Sequence, residues 1–259
     1  MALRDCPACG ATKATDIPAF SRGEWRIGKC DACGFVYLRN PPRYDQLVDE
    51  FAWEKTKAEH RSRLQKERPV LMAIDRAFAF RWRFRRDVGS SYVRVFGQGK
   101  VLDVGCGRGL ALPEPLIPFG IELSAARHAE ADANMKKRGG YALFGPAIER
   151  LQDFPEGSFD GVLMSSILEH EQHPRALLEG VRRVLSKTGK LYLRLPNHGS
   201  SNRKVMGARW GGFRYPDHVN YFTVPQMKRM AEETGYRFRQ LNRFSPFSDN
   251  MHILLTPRT

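Results

Sequence analysis

The sequence predicts an α/β protein: a doubly wound, largely parallel sheet closed by an antiparallel pair, with a small cysteine-rich ribbon at its amino end. Three observations predict it. Four of the five cysteines fall as Cys6-x-x-Cys9 and Cys30-x-x-Cys33. Residues 100–109 read KVLDVGCGRG, an apolar strand running into glycine at every second position. From there onward, apolar stretches of strand length alternate with segments of helical length, the order that builds a parallel sheet with helices on both faces.

The ribbon comes first. Twenty residues separate Cys9 from Cys30, a spacing suited to a tetrahedral zinc site, and Gly10 and Gly34 follow the two pairs where a metal knuckle turns tightly. A disulfide pairing competes, and an intracellular chain disfavours it. Four thiolates leave no open position, so a zinc ion held by Cys6, Cys9, Cys30 and Cys33 is structural rather than catalytic. Asn40-Pro41-Pro42 closes this unit, expected over residues 1–45. Residues 46–95 then read as a basic, helical linker or lid broken near Pro69, with Leu71, Ile74, Phe78 and Trp82 recurring at helical spacing.

The sheet domain is expected over residues 96–259. Val101, Leu102 and Val104 suit a central strand covered on both faces, and Gly105, Gly107 and Gly109 let the backbone turn sharply against a ligand. Asp103 sits near that strand's end, where a carboxylate can hold an amino-bearing group. Glu122 lies 19 residues further on, at the end of the apolar stretch 119–123, where a ribose hydroxyl pair would lie. Pro113, Pro115 and Pro118 make any helix between these strands short or irregular. Further elements are a helix over 124–138, strands over 141–144 and 159–165, a helix over 175–185 and a strand over 190–195. A loop over 197–223, a helix over 225–234 and a closing antiparallel pair over 236–244 and 251–255 complete the pattern.

VLDVGCGRG, the acid at Glu122, SFDGVLMSSILEH (158–170), KLYLRLPN (190–197) and PDHVNYF (216–222) together resemble class I S-adenosylmethionine-dependent methyltransferases, in a bacterial group with an amino-terminal zinc ribbon. The resemblance covers essentially the whole chain. It implies a Rossmann-like seven-stranded sheet with its last strand antiparallel, and S-adenosylmethionine as cofactor. On that resemblance Gly105, Cys106, Gly107 and Gly109 cradle the methionine part, Asp103 lies near its amino end, and Glu122 binds the ribose, with Leu123 and Ser165 completing the pocket. Cys106 also has a reading as a thiol nucleophile, against the plainer one of a small side chain tolerated beside the cofactor. Two departures stand out. Gly145-Pro146-Ala147 occupies the place where many relatives put an acid for the adenine amine. Metal-assisted relatives carry Glu-x-x-Glu-His after the fourth strand, but here Ser166 stands first, so a catalytic magnesium is not expected.

Methyl transfer from a sulfonium is an in-line displacement, so the protein must exclude water, align the acceptor and remove one proton. His170 and His218 are the candidate bases, with Tyr221 a weaker alternative; His170 also reads as a loop-ordering residue, and His173, before Pro174, as turn chemistry. The net charge of +14 is uneven. Residues 1–50 carry seven basic and seven acidic side chains; 51–94 carry twelve against five, and 201–259 ten against four. Such segments attract anions. The expected reaction is therefore methylation of an oxygen or carbon on an anionic small molecule, such as a nucleotide-linked sugar or biosynthetic precursor. Alternatives are an RNA methyltransferase, using the ribbon and the arginine-rich run 78–87 to hold RNA, and a non-catalytic cofactor-binding assembly partner. No apolar run of 18 residues exists and MALRDCPACG is not a signal peptide, so a cytoplasmic protein with at most weak membrane-surface contact is expected.

Overall fold

The computed structural model describes residues 3–42, 88–242 and 248–258. The helical reading of 46–87, with the run 78–87, and the end of the strand expected to Phe244 lie outside the described residues. Three short strands, β1 (Ala14–Asp16), β2 (Ile27–Cys30) and β3 (Val36–Leu38), form the ribbon as an antiparallel meander. Helix α1 (Val88–Phe96) leads into β4 (Gly99–Val104), β5 (Leu116–Glu122), α2 (Ala125–Lys136), β6 (Ala142–Phe144), α3 (Ala147–Arg150), β7 (Phe159–Ser165), α4 (Pro174–Val184) and β8 (Leu185–Pro196). After α5 (Ser201–Met206) and β9 (Asn220–Tyr221), helix α6 (Val224–Glu233) precedes β10 (Tyr236–Gln240) and β11 (Asn250–Pro257).

The large sheet has seven strands in the order β10-β11-β8-β7-β4-β5-β6. Strands β4 to β8 pair in parallel, and β11 lies antiparallel between β8 and β10, as the sequence pattern predicts. Strand β4 sits at the centre, where the order reverses, so its carboxyl end opens into the crevice in which such sheets bind ligands.

Local chemistry explains the elements. Helix α4 starts with Pro174 in its first turn and buries Leu177, Leu178, Val181 and Val184 along one face, each burial contributing about 1.5–3 kcal/mol. Helix α6 is closed at its start by a capping box between Thr223 and Gln226 and buries Met227, Met230 and Ala231. Among the described residues, no helix at all forms between β4 and β5. Pro113 and Pro115 break the segment, and Pro118 falls inside β5. Its carbonyl faces Gly140, on the side where β6 pairs only from Gly120 onward, so no ladder hydrogen bond is forfeited there. Strand β8 begins at Leu185, five residues earlier than the pattern suggests.

The stretch 197–223 departs furthest from its reading as a loop. It contains α5, a 3-10 turn at Gly207–Arg209, and β9, which pairs with the ribbon strand β3 at Val36↔Tyr221 and Tyr37↔Asn220. The ribbon sheet is thus four-stranded, β1-β2-β3-β9. One apolar cluster joins Ile27, Val36 and Leu38 to Trp210, Phe213, Val219 and Tyr221. On the other side, Phe35 and Tyr37 enter the same core as the large sheet. No described helix is long and apolar enough to cross a membrane.

Candidate active site

The glycine loop leaves β4 through three residues in the left-handed region, Gly105 (φ 73°), Gly107 (φ 58°) and Gly109 (φ 72°). Gly105 and Cys106 donate their backbone N–H groups to Ile121 O at 2.8 and 3.1 Å, which folds the loop over the end of β5. A side chain on Gly107 would meet nothing within 4 Å; this is the loop's open side, where a ligand can approach the backbone. On Gly109 a Cβ would lie 3.0 Å from both the Cα and the O of Ala131. Gly109→Ala is therefore expected to lower stability by about 1–3 kcal/mol, read as a fall in thermal midpoint; an unchanged midpoint would refute the packing argument.

Both expected acids stand at the strand ends. Asp103 is buried, and burial first, then the charge of Glu122, pushes its carboxyl up to about 8. Glu122 accepts from Gly107 N at 2.7 Å and Ser124 N at 2.9 Å, so it braces the loop whose open side it faces. Leu123 follows it, half-buried, and Ser165 ends β7 opposite Arg194 of β8. The Cys106 side chain turns away from the open side, packing with Ala131, Met135 and Ala142, and burial raises its thiol pKa. That environment removes the nucleophile reading. Tyr92 of α1, which sequence reasoning missed, is buried beside Asp103, whose charge adds to burial in raising its phenol pKa.

A second cluster lies beyond β7. Ser166 has φ 60°, the only positive value for a non-glycine residue among the described ones, and donates its N–H to Arg194 O at 2.8 Å. This turn delivers Glu169 and His170. The segment 214–220 folds onto it: Val219 N and Asn220 N both donate to Glu169 O, and Asn220 Nδ2 donates to Leu168 O and Glu171 O. His170 donates Nδ1–H to Asp217 O at 2.8 Å, and its Nε2 is buried without a hydrogen-bond partner among the described residues. His218, also buried, donates Nδ1–H to Gly212 O at 2.9 Å; burial, aided by the charge of His170, holds it well below the ordinary imidazole range and therefore neutral. The two rings meet edge to face, centroids 4.8 Å apart. Burial raises the Glu169 carboxyl, and neither of its oxygens accepts a hydrogen bond from another residue among the described ones.

Tyr221 does not join this cluster. It is buried in the ribbon-facing core, donates its O–H to His218 O at 2.8 Å, and burial carries its phenol well above the usual range. A phenol so held cannot take an acceptor's proton, and its role is structural. His173 stands at the N-cap position of α4, before Pro174, and its side chain makes no capping hydrogen bond.

At the amino end Cys6 Sγ lies 3.6 Å from Cys33 Sγ, Cys9 Sγ lies 3.6 Å from Cys30 Sγ, and all four thiols are free and within 4.8 Å of one another. A tetrahedral zinc with bonds of about 2.3 Å has sulfur–sulfur edges of about 3.8 Å, so the four fit that ion. Gly10 N donates to Cys6 O and Gly34 N to Cys30 O, each at 2.8 Å, with both glycines in the left-handed region the knuckles require. Arg4, which carries no sequence signal, ties the ribbon to the second cluster. Its guanidinium donates to Leu38 O, Gln172 O, Val219 O and Asn220 Oδ1, and burial lowers its pKa to about 10.

A family model for a methyltransferase domain matches residues 40–241. A ubiquinone biosynthesis O-methyltransferase of Xanthomonas oryzae pv. oryzae is 33% identical over 163 residues, which cover 57% of this chain and 67% of its own length. An uncharacterised protein of Methanocaldococcus jannaschii is 23% identical over 146 residues, 56% of this chain and 67% of its own. Among solved structures, a SAM-dependent methyltransferase from Archaeoglobus fulgidus superposes with a TM-score of 0.52 at 19% identity, covering 69% of this chain and 98% of its own. The 1,6-didemethyltoxoflavin-N1-methyltransferase of Burkholderia thailandensis gives 0.54 at 14% identity, covering 95% and 100%. These structural likenesses share the fold described above, and the match over residues 40–241 supplies the chemistry: the chain belongs to the methyltransferase-domain family and is an S-adenosylmethionine-dependent methyltransferase.

Proposed function

We propose that this protein methylates a hydroxyl oxygen of a small, anionic acceptor, bound between the glycine loop and the Glu169–His170–His218 cluster. The observation that carries the reading is the buried Nε2 of His170, which has no partner among the described residues, in the turn after β7, where Ile167 lies against Gly105 of the glycine loop. The similarity to proteins named as ubiquinone biosynthesis O-methyltransferases supports oxygen as the acceptor atom. The excess of basic residues over 201–259 supports an anionic acceptor.

S-adenosylmethionine supplies an electrophilic methyl group on a sulfonium. Asp103, once ionised, would pair with the cofactor's ammonium, Glu122 would take the ribose hydroxyls, and Gly105, Gly107 and Gly109 would admit the methionine part, with Leu123 and Ser165 lining the pocket. His170, its Nδ1–H anchored on Asp217 O, takes the acceptor's proton at Nε2 as the new bond forms. His218 backs that ring as a neutral neighbour. Cys6, Cys9, Cys30 and Cys33 hold a structural zinc. The RNA reading draws on the ribbon, on the run 78–87, outside the described residues, and on net charge.

Incubation with labelled S-adenosylmethionine and a panel of hydroxylated aromatic acids, hydroxylated sugar nucleotides and RNA tests the reading. Label in a hydroxyl of a small acid or sugar nucleotide is expected, and label in RNA alone would overturn it. His170→Ala should lower turnover by about 10²–10⁴-fold with cofactor affinity unchanged by calorimetry; full turnover in that variant would remove His170 as the base.

A further inference from the structure

We propose that Glu169, His170 and His218 form a binding site for one divalent transition-metal ion, distinct from the cysteine site. The inference deepens the acceptor-site reading and rests on that pocket, but its test reads the ion directly.

Three donors from two separate segments converge: one ligand atom from each lies within 4.8 Å of the others. Both imidazoles are tuned for ligation by their surroundings. His170 donates Nδ1–H to Asp217 O at 2.8 Å and His218 donates Nδ1–H to Gly212 O at 2.9 Å. A backbone carbonyl can only accept, so each ring keeps its lone pair on Nε2, and this outer hydrogen bond is the one metal-bound histidines make. Glu169 supplies the third donor. It is 1% exposed with both oxygens unpartnered among the described residues, and His170 Nε2 is unpartnered with it. A buried carboxyl that accepts no hydrogen bond from another described residue is costly, and a cation at this point would give both it and His170 Nε2 a partner. Arg214 of the same segment is paired with Asp217 at 2.6 and 2.8 Å, and its charge and that of Arg194 also act on Glu169.

The donor set selects the ion. Magnesium and calcium take oxygen ligands, whereas two imidazoles and one carboxylate suit zinc, manganese, iron(II), cobalt or nickel, with positions left open for the acceptor. The site does not use the position of Ser166; His218, reaching in from the segment that pairs with the ribbon, fills the third place. An ion bound there would take His170 as a ligand and would supply acidification of an acceptor hydroxyl in place of the His170 base. Without it, His170 keeps its lone pair for the proton.

Full-length protein with its cysteine site loaded with zinc is titrated with Co2+ and Mn2+ in the absence of S-adenosylmethionine. One further equivalent of Co2+ is expected, with d–d absorption and no thiolate charge-transfer band. Glu169→Gln and His218→Ala should each weaken it by about tenfold or more, with S-adenosylmethionine affinity serving as the check that the variants fold. No saturable second equivalent, or wild-type Co2+ affinity in both variants, would overturn the proposal. If either variant fails to fold, Mn2+ broadening of the His170 and His218 ring resonances decides the matter in wild-type protein, and its absence also refutes the site. Methyl transfer is scored separately, so loss of one conclusion leaves the other standing.

Discussion

Replacing Asp103 with asparagine is expected to weaken S-adenosylmethionine binding on the order of a hundredfold near pH 7.5. Breaking a buried ion pair costs about 3–5 kcal/mol, from which the cost of ionising a raised carboxyl must be subtracted. Burial and the nearby Glu122 raise Asp103 from 3.8 to about 8. In the free protein it is therefore protonated through neutral pH, and a cationic ligand binds only its ionised form. Affinity should rise with pH between about 6 and 8, by up to about tenfold per unit. Calorimetry in buffers of different ionisation enthalpy should show a proton released on binding. Asp103→Asn should abolish both the slope and the proton release. The linkage to folding has the opposite sense: a raised carboxyl stabilises the fold fully below its unfolded pKa of 3.8, and that contribution is lost as pH rises through about 8. The ligand-free protein should accordingly melt earlier at pH 8.5 than at pH 6, and bound cofactor should narrow the gap. A pH-independent affinity in wild type would show that Asp103 does not meet the cofactor's charge.

Cys30→Ser should have the largest effect on stability. A structural zinc contributes about 10–16 kcal/mol of apparent binding free energy, and the buried Cys30 thiol is one of four candidate ligands. The loss should spread beyond the ribbon, because β3 pairs with β9 and Arg4 joins Leu38 O to Gln172 O and Val219 O. The expected result is a lower thermal midpoint, reactive thiols at Cys6, Cys9 and Cys33 with Cys106 still protected, and reduced turnover with cofactor affinity nearly intact. This substitution is preferred to a chelator because it leaves the Glu169 cluster untouched. Unchanged turnover in the Cys30→Ser variant would show that the ribbon does not hold the acceptor side.

The glycine-loop half of the candidate site was legible in the sequence because backbone conformation dictates residue type there. Three positive φ angles call for Gly105, Gly107 and Gly109, and the alternation of apolar strands and helices fixes where Asp103 and Glu122 fall. The acceptor half was legible only in part. His170 and His218 stand out as titratable residues after predicted strands, but Glu169 looks like any turn acid until its burial is seen. Arg4 binds mainly backbone carbonyls, which leave no trace in composition or spacing. Strand β9 has two residues, too few to show a period, and its partner lies some 180 residues earlier in the chain. Tyr221 misleads for the same reason: its neighbours His218 and Asn220 face the cluster, while its own side chain packs on the ribbon.

The pairing of Val36 with Tyr221 also bears on how this enzyme can be rebuilt. A hybrid that exchanges the first 42 residues for another ribbon would strip Asn220 and Tyr221 of their edge partner and Val219 of its arginine, leaving the histidine-bearing segment without support. Transplantation should succeed only when residues 214–222 travel with the ribbon. The two stretches, far apart along the chain, behave as a single exchangeable part, and changes of acceptor preference engineered at one will have to be matched at the other.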